Sequence, residues 1–394
     1  MQIAALKSPK AKLWVEGRQN TFQYLEENVS ESDDIIWIHT PSLGEFEQAR
    51  PLIQILKKDF IQYKILITFY SPSGYEVRKN YPLADYVCYL PLDTKVNAQR
   101  FVKLIKPVYT FFVKYDFWPN YLIALQNLNH KHYVISAIFR NNHYFFRKTG
   151  AWMLNVISNF DHLFVQNEDS KYMLLTRNIT HVSNVGDTRF DRVLEITNSV
   201  NELPVLDHFK GDNPLFICGS TWDQGEDMIV EFIKHYGKRF KYVIAPHEMR
   251  QSALDKLESS IEFKVMRYSH ANVQNVETAH VLIIDNIGLL SSLYAYADIA
   301  YIGGGFGKGI HNILEAASFG MPIFIGPNNQ NFQEAVDLKN IGVAIEIKSA
   351  QEMIAQCDLL LTHPNRWNEL KEKSTQYVRE KAGATKKIVL KVFK

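Results

Sequence analysis

Five short stretches of the sequence carry residue types that do chemistry, and each follows an apolar run of strand length. The first is His39-Thr-Pro-Ser-Leu-Gly-Glu45. Pro41 and Gly44 predict a tight loop, with Ser42, Gly44 and Glu45 at the start of a helix. Two readings are open there. Ser42-Leu-Gly-Glu45 has the S-x-x-E spacing of a capping box, in which the glutamate satisfies a backbone N–H. Alternatively, Glu45 is a general base that takes the proton of an attacking hydroxyl.

The second stretch runs from Gly303 to Glu315, with five glycines among residues 303–309. Gly303, Gly304 and Gly305 permit close backbone approach, and the helix expected next offers N–H groups to an anion. Lys308 is followed by Gly309, so the loop lacks the G-K-[ST] ending of an ATPase phosphate loop. It also lies too far along the chain for a dinucleotide fingerprint, which opens the first βαβ unit. A glycine-rich turn without a ligand is the other reading. His311 and Glu315 are four apart and are expected on one helix face, with Asn312 between them. An acidic residue there suits two ribose hydroxyls.

The remaining three are smaller. In Gly219-Ser-Thr-Trp-Asp-Gln-Gly-Glu226, Ser220 or Thr221 is expected to cap the next helix, whose N-terminus suits a phosphate or carboxylate. In Ala245-Pro-His-Glu-Met-Arg250, His247 and Arg250 suit a phosphate, although a lone histidine is more often structural. In Lys114-Tyr-Asp-Phe-Trp-Pro-Asn120, Lys114 and Asp116 leave a strand end in the same direction, and the simplest outcome is that they pair with each other.

These loops need an alternating frame to hold them. Strands are predicted at Ile35–His39, Lys64–Thr68, Tyr86–Leu90, Val108–Val113, Tyr133–Ile138 and His162–Gln166, with helices at Glu45–Phe60 and Val96–Ile105 among them. The alternation lapses at Ile196–Pro214 and resumes with strands at Leu215–Cys218, Tyr242–Ala245, Val281–Ile284, Ile299–Ile302 and Ile323–Ile325. Such alternation implies α/β domains with parallel sheets covered on both faces. Their ligands sit beyond the carboxyl ends of the strands. Two doubly wound domains are expected, residues 1–200 and 201–394, with the last helical stretch, Arg366–Ala382, packing back across the linker.

Composition narrows the partner. The 394 residues are 46% hydrophobic and 22% charged, as in ordinary globular proteins, and the net charge of +2 does not point to nucleic acid. Between Phe117 and Phe160 there is no Asp or Glu, while Lys131, Arg140, Arg147 and Lys148 stand among Tyr144, Phe145, Phe146 and Trp152. That mixture suits a phosphorylated lipid or a headgroup surface, and a solvated basic face is the bland alternative. Cys88, Cys218 and Cys357 are far apart and form no CxxC pair, which argues against a disulfide framework or zinc site and fits a reducing compartment. No run of about 18 apolar residues exists, and Met1–Lys12 has no signal-peptide core. A cytoplasmic protein that touches a membrane surface is expected.

Taken in order, the stretches resemble the bacterial transferases of 3-deoxy-D-manno-oct-2-ulosonic acid (Kdo), which move Kdo from CMP-Kdo onto a lipid A precursor. The match runs through Leu13-Trp-Val-Glu-Gly-Arg18, Trp37–Glu45, Pro91-Leu-Asp93, Phe117-Trp-Pro-Asn120, Gly186-Asp-Thr-Arg-Phe-Asp191 and Gly219-Ser-Thr221. It continues through Pro246-His247, Asp285-Asn-Ile-Gly288, Gly303-Gly304, His311–Glu315 and Gly326–Phe332. The resemblance implies a GT-B architecture, two Rossmann-like domains facing across a cleft, and an inverting transfer with no metal and no cofactor. It implies Glu45 as the base and an N-terminal domain that receives the acceptor at the inner membrane's cytoplasmic side, through Ser42, Gly44, Asp116, Arg140, Arg147 and Lys148. It places the donor on Ser220, Thr221, His247, Arg250, Gly303, Gly304, Gly305, His311, Asn312 and Glu315, the last at the CMP ribose.

The chain departs from the pattern in places. Many relatives read Glu-x-Glu where this chain has Lys114-Tyr-Asp116, and Trp222 replaces a common histidine. Relatives also carry an apolar anchor before the Trp-Glu-Gly-Arg region, expected here to be lacking or trimmed. The alternatives are a GT-B transferase using a UDP-sugar on a lipid-linked acceptor, and a non-catalytic nucleotide- or lipid-binding protein.

Overall fold

Apolar runs alternating with amphipathic stretches build two parallel β-sheets in the computed structural model, which describes residues 8–200 and 202–394. The start of the Met1–Lys12 segment and Asn201 in the expected break lie outside the described residues.

The first sheet holds β1 (Ile35–Thr40), β2 (Lys64–Phe69), β3 (Tyr86–Tyr89), β4 (Tyr109–Val113), β5 (Lys131–Ala137), β6 (His162–Val165) and β7 (Val182–Asn184). Their order is β3-β2-β1-β4-β5-β6-β7. The second holds β8 (Leu215–Thr221), β9 (Lys241–Pro246), β10 (Val265–Arg267), β11 (Val281–Ile283), β12 (Ile299–Ile302), β13 (Ile323–Ile325) and β14 (Ala344–Glu346). Their order is β10-β11-β9-β8-β12-β13-β14. Every pairing in both sheets is parallel. The fold is α/β, with two Rossmann-like domains.

All six residues of β1 are buried, as a strand covered on both faces requires. Ile35 and Trp37 enter one apolar core, and Ile36 and Ile38 the other. Trp37 is wholly buried among Phe101, Phe112 and Tyr121, and its indole N–H donates to Thr68 Oγ1 at 2.8 Å. Truncating such a side chain to alanine costs about 3–5 kcal/mol.

Three strands absent from the sequence prediction, β7, β10 and β14, have three residues each and lie at sheet edges. Too short to give an apolar run of strand length, each pairs along one side only.

The chain divides into Met1–Arg192 with Lys381–Lys394, and Val193–Glu380. The division therefore falls within the helix Thr188–Asn198, not at 200/201, because the lapse in periodicity marks that helix's end and not a change of unit. The helix Pro364–Lys381 lies almost wholly in the second unit, where Ser374 Oγ donates to Ala317 O at 2.7 Å. It is the next helix, Ala384–Val392, that belongs to the first.

The strand order reverses between β1 and β4 in one sheet and between β8 and β12 in the other. At such switch points the loops leave in opposite directions and open a crevice. The helix whose first turn bears Glu45 follows β1, and the loop bearing Lys114 follows β4. Gly219–Thr221 close β8, and Gly303 follows β12.

Candidate functional site

In the first unit the loop after β1 leads directly into the helix Leu43–Asp59, with Ser42 in extended conformation at its N-cap. Ser42 makes no side-chain cap to a backbone N–H. Its hydroxyl donates instead to Glu45 Oε2, so the capping-box reading gives way to a side-chain pair. Lys114 Nζ donates to Glu45 Oε1 at 2.7 Å. The Glu45 side chain is 16% exposed. Burial opposes its ionisation, but the Lys114 charge and the bonds from Lys114 and Ser42 outweigh it and hold the carboxyl below its ordinary range. Gly44 is exposed in the first turn, and a Cβ there would meet nothing nearer than Ser42 Oγ at 3.9 Å.

Lys114 and Asp116 do not pair. Lys114 turns left-handed (φ 64°) at the end of β4, while its N–H bonds Ile135 O at 2.9 Å. Asp116 Oδ2 lies 3.1 Å from His39 Nε2 and accepts from Trp118 Nε1 at 2.8 Å. His39 is fully buried, and its Nδ1 is 2.8 Å from Thr68 Oγ1. Thr68 Oγ1 also accepts the indole N–H of Trp37, and Trp118 Nε1 lies 3.0 Å from His39 Nε2, so His39, Asp116 and Trp118 form one polar cluster above Thr68. Two networks thus sit on adjacent loops, one ending in Glu45 and the other in Asp116.

Sequence reasoning missed Arg18 as part of this surroundings. Its guanidinium lies 4.0 Å from the Trp14 ring centroid, 4.7 Å from Tyr70 and 4.9 Å from Tyr89. It donates to Leu90 O, Trp14 O and Tyr70 O, and burial pushes its pKa down to about 10. Tyr70 in turn lies against Trp118, ring centroids 4.8 Å apart. The Trp14/Arg18 spacing of four on the helix Pro9–Gln19 was the available signal.

Arg140, Arg147 and Lys148 are all exposed, beside exposed Tyr144 and Trp152. Phe145 is buried beneath them against Phe117, Phe139 and Phe146. Tyr115, between Lys114 and Asp116, meets His143 at 5.1 Å between centroids, which joins the site loop to the acid-free segment.

In the second unit a cavity of about 580 Å³ is lined by Thr221, Trp222, Glu226, Arg250, Gly304 and His311, among others. Trp222, His247 and His311 stack at its side, with centroids 4.6 Å apart for Trp222/His247 and 4.3 Å for His247/His311. Burial, then the neighbouring His247, push the His311 pKa down to about 4. Arg250 is exposed and pairs with Glu248 at 2.9 Å.

Several expectations are corrected here. Ser220 and Thr221 do not cap the helix Asp223–Tyr236, whose N-cap is Trp222, because both belong to β8. Ser220 is left-handed (φ 52°), and Thr221 Oγ1 donates to Glu226 Oε1 at 2.8 Å. Burial nevertheless raises the Glu226 pKa. His311 and Glu315 do not share a helix, since the short helix Leu314–Phe319 begins after His311. Asn312 holds its start, accepting from Leu314 N–H at 3.2 Å and donating to Glu315 Oε1 at 2.8 Å.

The glycines are used for chain-to-chain packing. A Cβ on Gly303 would lie 2.0 Å from Ser220 O, and one on Gly305 would lie 2.7 Å from Gly326 N. Gly304 takes φ 90°, open to glycine at little cost.

Residues 16–192 match the model of the 3-deoxy-D-manno-octulosonic-acid transferase (kdotransferase) family. The 3-deoxy-D-manno-octulosonic acid transferase of Haemophilus influenzae is 26% identical over 368 residues, which cover 90% of this chain and 85% of the relative. That of Aquifex aeolicus is 25% identical over 346 residues, covering 86% and 89%.

The likeness to these transferases thus runs from the first unit along most of the chain.

The proteins it is similar to in sequence are glycosyltransferases that carry Kdo in their names. Solved structures bear on the fold alone. The UDP-GlcNAc 2-epimerase of Neisseria meningitidis superposes with a TM-score of 0.65 at 18% identity, over 91% of this chain and 99% of the other. A glycosyltransferase of Rickettsia africae gives 0.58 at 11% identity, over 92% and 98%. Among the described residues of this chain, no helix is long and apolar enough to cross a membrane. Nor do three His, Cys, Asp or Glu side chains converge among them as a metal site requires.

Proposed function

We propose that this chain transfers Kdo from CMP-Kdo to a lipid A precursor at the cytoplasmic face of the inner membrane. The observation that carries this reading, beside the likeness in sequence, is Glu45. It is an ionised, mostly buried carboxylate in the first turn of the helix that follows β1, at a switch point of the sheet. A hydroxyl of the acceptor loses its proton to Glu45 as its oxygen bonds the anomeric carbon of Kdo. The bond from that carbon to the CMP phosphate breaks, and its electron pair leaves with CMP. Inversion follows from a single displacement.

On this reading the donor belongs to the second unit, to Ser220, Thr221, His247, Arg250, Gly303, Gly304, Gly305, His311 and Asn312. Glu315, steadied by Asn312, is assigned to the ribose hydroxyls. Backbone N–H groups of the glycine loop, with Arg250, are assigned to the leaving phosphate. Arg140, Arg147 and Lys148 are assigned to the acceptor phosphates and membrane surface, and Tyr144 and Trp152 to its acyl chains. Asp116, Ser42 and Gly44 border the place for the attacking hydroxyl.

The deciding experiment is incubation with CMP-Kdo and a tetraacylated disaccharide acceptor, followed by mass measurement of the product. The product gains the mass of Kdo, and CMP protects the protein against heat where UDP does not. Absence of product together with protection by UDP overturns the reading in favour of a UDP-sugar transferase.

A further inference from the structure

Glu45 poses a chemical difficulty as the structure stands. A general base works best with a pKa near the operating pH. Glu45 is instead clasped on both oxygens, by Ser42 at Oε2 and by Lys114 at Oε1. A carboxylate so satisfied is a weak proton acceptor, and no lone pair aimed at Lys114 is available to a hydroxyl. The lysine is also held oddly. Lys114 is left-handed (φ 64°), a conformation that a non-glycine residue adopts only under strain. Its main chain is fixed by Ile135 O, but its side chain is 30% exposed and on a flexible stem. The loop touches the acid-free segment through Tyr115 and His143, so an anion drawn to that segment arrives one residue from Lys114.

Resting on the reading of Glu45 as the base, we infer that Lys114 is a substrate-sensing positioning residue: it covers Glu45 in the free protein, and an oxyanion of the incoming substrate takes its ammonium and uncovers the carboxylate. The oxyanion is a phosphate of the acceptor or the carboxylate of the donor sugar. Both offer a negatively charged oxygen in place of the one that Lys114 leaves. Transfer is thereby coupled to the presence of the charged substrate, because the base is released only when the charge that displaces it is in place.

The test uses the full-length protein and steady-state transfer to an acceptor disaccharide carrying or lacking its phosphates. With Lys114→Met, KM for the phosphorylated acceptor rises about tenfold, the loss expected for one charge-assisted hydrogen bond. The dephosphorylated acceptor is turned over severalfold faster than by the unaltered protein, since its base is no longer covered. If the KM for CMP-Kdo rises instead, the donor carboxylate is the oxyanion and the device stands. Lys114→Gly repeats the measurement with the left-handed strain relieved, so a folding defect of the methionine variant leaves the question decidable. The inference is overturned if both variants leave both KM values unchanged, or slow both acceptors equally. Glu45→Gln is measured beside them. If it keeps full turnover, the base assignment falls. If it is inactive while the Lys114 variants behave like the unaltered protein, only the covering role falls.

Discussion

Trp222 donates its indole N–H to His311 Nε2 at 2.7 Å, so the histidine carries its proton on Nδ1 and is neutral. Burial, then His247, hold its pKa at about 4, against about 6.5 in the unfolded chain. Between these values the unfolded state binds more protons, and stability rises with pH. The contribution is present above about 6.5 and is lost as pH falls towards about 4. His162 in the first unit, also at about 4 through burial and then Lys391 and His181, acts in the same direction. Melting temperature therefore rises with pH across this window, and His311→Gln or His162→Gln flattens the slope.

Glu45→Gln lowers transfer by about 10²–10⁴-fold, the usual loss of a general base. Because Ser42 makes no side-chain cap to the backbone, the melting temperature falls only by what loss of the Lys114–Glu45 ion pair entails, and the fold is kept. Activity and a thermal melt on the same preparation check both halves.

Lys114 is the favourable charge that carries Glu45 below its ordinary range against the effect of burial. Lys114→Met leaves burial unopposed by that charge. The acid limb of kcat/KM, which follows the ionised base, then moves to higher pH. A pH–rate profile showing the limb in place, or moved lower, contradicts the assignment.

Gly303→Ala drives a Cβ to 2.0 Å from Ser220 O, which backbone on both sides cannot absorb. The cost is expected at or above about 3 kcal/mol, the upper end for an overpacked core. Denaturant unfolding reads it, and in the second unit the loss precedes any effect on catalysis.

Changing Arg147 and Lys148 together to Glu reverses the charge of an exposed, acid-free surface. Binding to anionic liposomes and to the acceptor weakens, while CMP affinity is unchanged. Equilibrium binding of each ligand separates these outcomes.

The frame was largely legible in the sequence. Ile299–Ile302 and Ile323–Ile325 were read at their observed limits because each is a wholly apolar run between polar turns. The edge strands β7, β10 and β14 were not, since Val182-Ser-Asn184 has no apolar pattern of its own. The site loops were found from their place after strands, but the bonds within them were not. Spacing put Lys114 beside Asp116, whereas the positive φ at Lys114 sends its side chain to Glu45, and only the adjacency of β1 and β4 brings those loops together. Likewise, spacing gave His311 and Glu315 one helix face, but Asn312 starts the helix too late for it.

The first unit recovers its last element only after the whole of the second. Asp191 accepts the N–H groups of Gly383 and Thr385, at 2.5 and 2.7 Å, and Ile388, Val389 and Phe393 complete the core beneath β4. On a ribosome, then, the second unit emerges entire and is free to fold while the first still lacks part of its interior. The half of the chain that begins synthesis is the half that must wait.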